Sequence, residues 1–456
     1  MLRAQALKTP FELGNGNQTP TYAEMLEFYD LLDKSSDHIN IKTYGATDSG
    51  QNLKVVLYSS ENVVSAQNKD HALLLINNGI HPGEPDGIDA SMRLLRDLAS
   101  GAIKAPRSVT IAVIMSYNLG GMLNRGAHSR ANQNGPEEYG FRGNARNFDL
   151  NRDFIKADTR NAVSFQELVH DFKPDYFIDN HVSNGADYQY TLTYITTNKE
   201  RLGGALAQYQ HNVLTPEIKK QLLHKGIISA PYVEINGLKP ERGYEAFMDS
   251  PRYATGYTAL FNIPGEVVET HMLKPYRDRV NVTYENMVAT IAYLDKNMAK
   301  LKDFRQRNWQ QLQPGTRYPV AWAVDSTRKQ NLIFKGFEAG LKPSLVSGKP
   351  RLYYDRNKPY SRNIPFYDTY KPTKFINIPS YYLIPQSEWK VIEHLQRNRI
   401  EMQSLRQDST VHAEEYRIEG YSTVAKPYEG HYLYYNTSVN AKRKDIHARK
   451  GDWLVP

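Results

Sequence analysis

Two hydrophobic periods alternate along the first two thirds of the chain. From Thr21 the apolar residues Met25, Leu26, Phe28, Tyr29, Leu31 and Leu32 share one face of a helix. Thr21 with Glu24 three residues on forms a capping box at its start. Two alternating runs follow, 39–44 and 53–58, and the turn-rich Gly45-Ala46-Thr47-Asp48-Ser49-Gly50 joins them, which predicts an antiparallel pair. From residue 71 the texture changes. Residues 72–76, 109–116, 176–178 and 265–268 read as short buried strands, separated by helical patterns over about 87–98, 161–172, 200–224 and 275–298. Continuous apolar strands alternating with helices predict an α/β fold, with a mixed, mostly parallel central sheet flanked by helices. Beyond residue 300 Pro and Tyr become frequent, strands are short and alternating, and only 387–397 reads as helix. The expected division is therefore an α/β domain over 1–300 and a β-rich C-terminal domain over 301–456, with the boundary near 301–307.

Composition narrows the chemistry. The 456 residues suffice for two or three domains, and the net charge of +8 is modest for that length. The densest basic run, Lys442-Arg443-Lys444 to Arg449-Lys450, reads as a solvated face, so no nucleic-acid partner is expected. No run reaches the roughly 18 apolar residues a membrane helix needs, so no membrane span is expected either. With no cysteine, disulfides, thiolate metal sites and thiol nucleophiles are all excluded. The N-terminal Met1-Leu2-Arg3-Ala4-Gln5 lacks an apolar leader core. Lack of cysteine over such a length leans towards an extracytoplasmic protein, periplasmic or secreted, whose leader has been removed. The end at Leu454-Val455-Pro456 looks like a strand, so the natural protein is expected to continue.

Candidate residues gather where buried strands end, the place open α/β sheets use for sites. His81-Pro82-Gly83-Glu84 follows the first such strand, Asp179-Asn180-His181 the third and Glu269-Thr270-His271 the last. Two imidazoles and a carboxylate on loop edges suit a hydrolytic zinc with an open coordination position. The spacing His-x-x-Glu carries little alone: with 13 histidines, roughly one match arises by chance. A second copy, His412 to Glu415, lies in an alternating run of the β-rich region and is assigned no function. His271 is expected to be structural, and Arg125 and Arg146 to be loop charges.

The segment Arg142-x-Asn144-Ala145-x-x-x-Asp149-Leu150-Asn151-Arg152-Asp153-Phe154 makes residues 20–300 resemble the zinc metallocarboxypeptidases of A, B and E type. The resemblance implies one Zn²⁺ per chain held by His81, Glu84 and His181, the ligand set that carboxypeptidase A exemplifies. It implies that Asp149 fixes the His81 tautomer and that Arg142 stabilises the oxyanion. Asn151 and Arg152 would bind the terminal carboxylate of a peptide, and Glu269 would be the general base. The mobile tyrosine of that family has three candidates, Tyr253, Tyr257 and Tyr244. Departures exist: Val182-Ser183-Asn184-Gly185 follows the third ligand, Thr270-His271 follows the base, and Glu266 competes with Glu269. The implied activity is release of C-terminal residues from peptides. Alternatives are an amidase or endopeptidase on cell-wall peptides, or a glycan- or partner-binding protein with a relic site.

Overall fold

The computed structural model describes residues 7–61, 71–233 and 239–456; the leader reading above rests on residues 1–5, outside that range. Eight strands form one mixed sheet: β1 (Ile39–Ala46), β2 (Asn52–Tyr58), β3 (Ala72–Asn77), β4 (Val109–Ile114), β5 (Tyr176–Ser183), β6 (Leu192–Thr196), β7 (Ser229–Pro231) and β8 (Gly265–His271). Their order is β1-β2-β4-β3-β5-β8-β6-β7. The four central strands β4, β3, β5 and β8 run parallel, while β1, β2 and β6 pair antiparallel to their inner neighbours.

Alternation along the buried strands decides which helix covers which face. Leu73 and Leu75 of β3 pack with Phe165, Leu168 and Val169 of the helix α1 (Arg160–Phe172). Leu74 and Ile76 point the other way. They join Met92 and Leu95 of the helix Asp86–Ala99 and Val280, Met287 and Leu294 of the long helix α2 (Tyr276–Gln310). The N-terminal helix Tyr22–Ser35 carries the expected capping box, with Thr21 Oγ1 accepting the Glu24 N–H at 3.3 Å. No helix among the described residues is long and apolar enough to cross a membrane.

The expected boundary at 301–307 falls inside α2, which runs twelve residues past its predicted end at 298 to Gln310. The helix continues because its inner face still has partners. Leu301 is buried, Phe304 stacks on Tyr209 with ring centroids 4.5 Å apart, and Arg305 pairs with Asp175. The region beyond 300 is β-rich, but it divides. One compact unit comprises Met1–Gln311 with Pro319–Phe375, the other Leu312–Tyr318 with Ile376–Pro456. In the first, a long hairpin of β9 (Gln330–Pro343) and β10 (Pro350–Tyr367) shares an aromatic core with the sheet region. There Phe334, Ile364 and Phe366 pack against Tyr188, Tyr190 and Tyr244. The second unit holds the helix Trp389–Arg397, a three-stranded sheet, and a two-stranded ribbon of Ser409–Thr423 with Tyr434–Ala448.

Candidate metal centre

Neighbouring strands bring the predicted residues together. The chain leaves β3 towards β4 on one side and returns to β5 on the other, so the loops after β3 and β4 open beside the end of β5. After β3 the backbone turns at Gly79, whose φ of +65° disfavours any side chain, and Ser116 Oγ lies 2.7 Å from where a Cβ would be. His81 and Glu84 then sit on one turn, closed by the Glu84 N–H donating to the His81 carbonyl at 2.8 Å. His181 lies in β5 directly opposite Glu269 in β8.

Metal-ligating atoms of His81, Glu84 and His181 lie within 4.8 Å of one another, and all three residues are buried. Both histidines turn Nδ1 towards Glu84: His81 Nδ1 is 3.2 Å from Oε1 and His181 Nδ1 is 3.0 Å from Oε2. Each Nε2 is met by a different carboxylate, Asp149 Oδ1 for His81 and Asp179 Oδ2 for His181, both at 3.0 Å. A carboxylate on Nε2 retains the proton there and leaves the Nδ1 lone pair for a metal. Arg142 supports this tautomer, because its Nη1 stands 3.3 Å from His81 Nδ1 and a guanidinium can only donate. The donor set therefore fits a zinc ion, with two imidazole nitrogens and one carboxylate on one side and no thiolate.

Charge is tightly balanced around the three residues. Burial works to raise the Glu84 carboxyl, but Arg130 and then the two histidines outweigh it and hold it well below the usual carboxylate range. Burial lowers the His181 imidazole, and Asp179 and Glu84 overcome it, so without a metal the ring favours its doubly protonated form, whose Nδ1 proton a metal ion would displace. Asp149 is likewise kept ionised against burial by His81, Arg142 and Arg152. Glu269 goes the other way: loss of water pushes it up to about 8, helped by Glu84 and Asp179 and opposed by His181 and Arg130. A carboxyl raised in this way is suited to holding and releasing a proton near neutrality.

Of the expected carboxylate-binding residues, Asn151 and Arg152 lie on the short 3₁₀ turn Leu150–Arg152, capped by Asp149 Oδ1 accepting the Asn151 N–H at 2.9 Å. The Arg152 guanidinium covers the Tyr253 ring at 4.7 Å. Arg142 donates to Asp149 Oδ2 through Nη2 at 2.7 Å and is 46% exposed, so it stays accessible from solvent. Tyr257 is not in this group. The run Ala254–Ala259 folds as a helix that buries Tyr257 completely, with its hydroxyl 3.2 Å from His170 Nε2 and its ring against Phe165 and Phe261. Tyr244 is also withdrawn, its hydroxyl donating to the Pro231 carbonyl within the aromatic core. That leaves Tyr253 beside Arg152.

Glu266 lies three residues from Glu269, hence on the opposite face of β8, where it binds Lys219 Nζ at 2.7 Å and Asn286 Nδ2 at 2.6 Å. His271 is buried with Nδ1 accepting the Leu273 N–H at 3.2 Å, and burial pushes it down to about 4. Arg125 donates to the carbonyls of Pro20, Thr19 and Glu138, as a loop staple. His412 is exposed on the ribbon beside Asp445, and Glu415 pairs with Arg417 and Lys444.

Three residues around the site received no role from the sequence. Asp179 stands two residues before His181, and the period of a strand places both on one face; that spacing could have revealed it. Arg130 forms an ion pair with Glu84 and donates to the Val182 carbonyl at 2.8 Å. Arg279, wholly buried, faces Asp86 at 3.0 Å and donates to the carbonyls of Met272, Lys274 and Gly135, tying those loops together.

No protein-family model matches the chain, and no curated protein matches it. Among solved structures it is similar to metallo-carboxypeptidases. One from Burkholderia cenocepacia shares 14% identity over 60% of this chain and 69% of that one, with a TM-score of 0.46. One from Pseudomonas aeruginosa, in complex with (2-guanidinoethylmercapto)succinic acid, shares 11% over 61% and 69%, with a TM-score of 0.45. Carboxypeptidase A from Helicoverpa armigera shares 11% over 61% and 74%, also at 0.45.

Proposed function

We propose that this protein is a zinc-dependent peptidase of carboxypeptidase type that removes C-terminal residues from peptides. The observation that carries the reading is the convergence of His81, Glu84 and His181, with each outward imidazole nitrogen held by its own carboxylate. Such outer carboxylates raise ligand basicity and fix ring orientation, and a purely structural histidine pair has no need of both. Zinc, when bound, supplies Lewis-acid chemistry that polarises a carbonyl and acidifies water. The protein's own groups do the rest. Glu269 accepts a proton during attack and returns it to the leaving amine. Arg142, a permanent cation accessible from solvent, stabilises the oxyanion. Arg152, kept in place over Tyr253, and Asn151 receive the terminal carboxylate of the substrate. Asp149 connects the two halves of the task, since it orients His81 and caps the turn that carries Asn151 and Arg152.

One experiment separates this reading from its rivals. A peptide is supplied as free acid and as C-terminal amide, to zinc-loaded and chelator-treated protein. Turnover of the acid at least about a hundredfold above the amide, abolished by chelator, is expected, since an amide forfeits a bidentate contact worth a few kcal/mol at 1.4 kcal/mol per tenfold. Equal turnover would point to an amidase or endopeptidase. Failure to bind zinc at all would leave a relic site.

A further inference from the structure

The β9–β10 hairpin ends in a tip whose chemistry the peptidase reading does not use. Counting from Gly336, which is bridged to Tyr188, seven residues of β9 lead to Pro343. At about 3.4 Å per residue the tip stands roughly 24 Å out along the hairpin. Leu345 and Val346 at its apex are fully exposed, and Leu341 is 71% exposed. Large apolar side chains standing free at the end of a projection mark a docking surface.

Its charges are one-sided. Lys342, Lys349 and Arg351 fall in a stretch with no acidic residue between Glu338 and Asp355. Lys342 and Arg351 are direct cross-strand partners, as are Leu341 and Leu352 one step along. Like charges placed opposite each other destabilise a hairpin, so folding alone gives no reason for that pair. Several amides of the apex are bonded within the loop as well. Ser344 N–H donates to the Lys349 carbonyl at 2.8 Å and Gly348 N–H to the Ser344 carbonyl at 2.9 Å. Val346 and Ser347 N–H groups donate to Ser344 Oγ at 3.3 Å, and Pro343 and Pro350 have none to place. A loop that bonds several of its own amides has fewer of them to desolvate on entering a layer poor in water.

From the free Leu345-Val346 apex and the cationic neck behind it, we propose that this tip docks the protein on an anionic lipid bilayer. The apolar apex enters the interface and the three cations sit at the level of the headgroups. A polyanion such as nucleic acid would engage the cations and leave the apex in water, which makes a bilayer the better match to both features.

The test sediments the full chain with vesicles of phosphatidylcholine alone and of phosphatidylcholine mixed with phosphatidylglycerol. Wild type should bind the anionic vesicles and be released by high salt, and should bind neutral vesicles far less. At about fivefold per cation, from ~1 kcal/mol each, the K342Q/K349Q/R351Q variant should bind roughly a hundredfold more weakly. L345S/V346S should also lose binding, while zinc content and melting temperature stay at wild-type values in both variants. No sedimentation with anionic vesicles, or equal binding by wild type and both variants, overturns the proposal. So does a change of mass in solution on mutating the apex without any vesicle binding, which would make the tip a contact between copies of this chain.

Discussion

Asp179 and His181 stand two residues apart on β5, and the carboxylate meets the ring Nε2 at 3.0 Å. The strand itself thus orients the imidazole, because residues i and i+2 share a face. Asp179 also accepts a bond from Asn77 Nδ2 on the adjacent strand at 3.2 Å, which fixes its own rotamer.

Replacing Asp179 with Asn should therefore weaken zinc binding about 10- to 100-fold, the usual cost of losing a carboxylate behind a ligating histidine. Titration against a chelating dye reads this directly. His181→Ala should abolish stoichiometric zinc, whereas His412→Ala should leave it unchanged. Undiminished affinity in the Asp179 variant would mean that His181 is not a ligand.

Glu269 and Glu266 sit on opposite faces of β8 and should separate cleanly. Glu269→Gln should keep zinc and lose turnover by several orders of magnitude, since an amide can neither take nor give the proton. Glu266→Gln should keep most of its turnover and lose stability, because its amide oxygen can still accept from Asn286 while its NH2 cannot accept from the buried Lys219 ammonium. Inactivation by the second change and not the first would move the base by three residues.

The Arg279–Asp86 pair is a stability device. Arg279→Met removes the cation and leaves a buried carboxylate facing apolar surface, with an expected loss of about 3–5 kcal/mol in chemical denaturation. Adding Asp86→Asn should recover part of it. If Arg279→Met alone unfolds at the wild-type midpoint, the buried pair contributes nothing.

How far the sequence revealed all this follows from the kind of contact involved. His81, Glu84, His181 and Glu269 were legible because strand-end positions converge whatever the loops do. Arg130 was not, since its reach to Glu84 depends on the course of the loop after β4, which Arg125 staples by three backbone carbonyls. Arg279 looks like any charge in a helix until the fold buries it. Tyr257 misled because its distance along the chain from Tyr253 hides a helix that turns it into the core. The boundary was placed too early because α2 becomes polar on its outer face while Leu301 and Phe304 still pack inward.

Asp89 gives the fold a pH dependence of its own. It lies fully buried and accepts the Tyr276 hydroxyl, and burial pushes its carboxyl up to about 7 in spite of that bond. An unfolded chain releases that proton near the ordinary value of about 4. Between the two values the folded protein holds a proton that the unfolded one lacks. The resulting stabilisation is complete below about pH 4 and is lost as the pH rises through about 7, at up to ~1.4 kcal/mol per pH unit. Asn has the shape of the neutral acid and cannot ionise, so Asp89→Asn should not share this loss. Urea unfolding of both proteins at about pH 5 and about pH 8 should show wild type losing roughly 2–4 kcal/mol relative to the variant over that range. A difference that stays constant with pH would mean that Asp89 is already ionised in the folded protein.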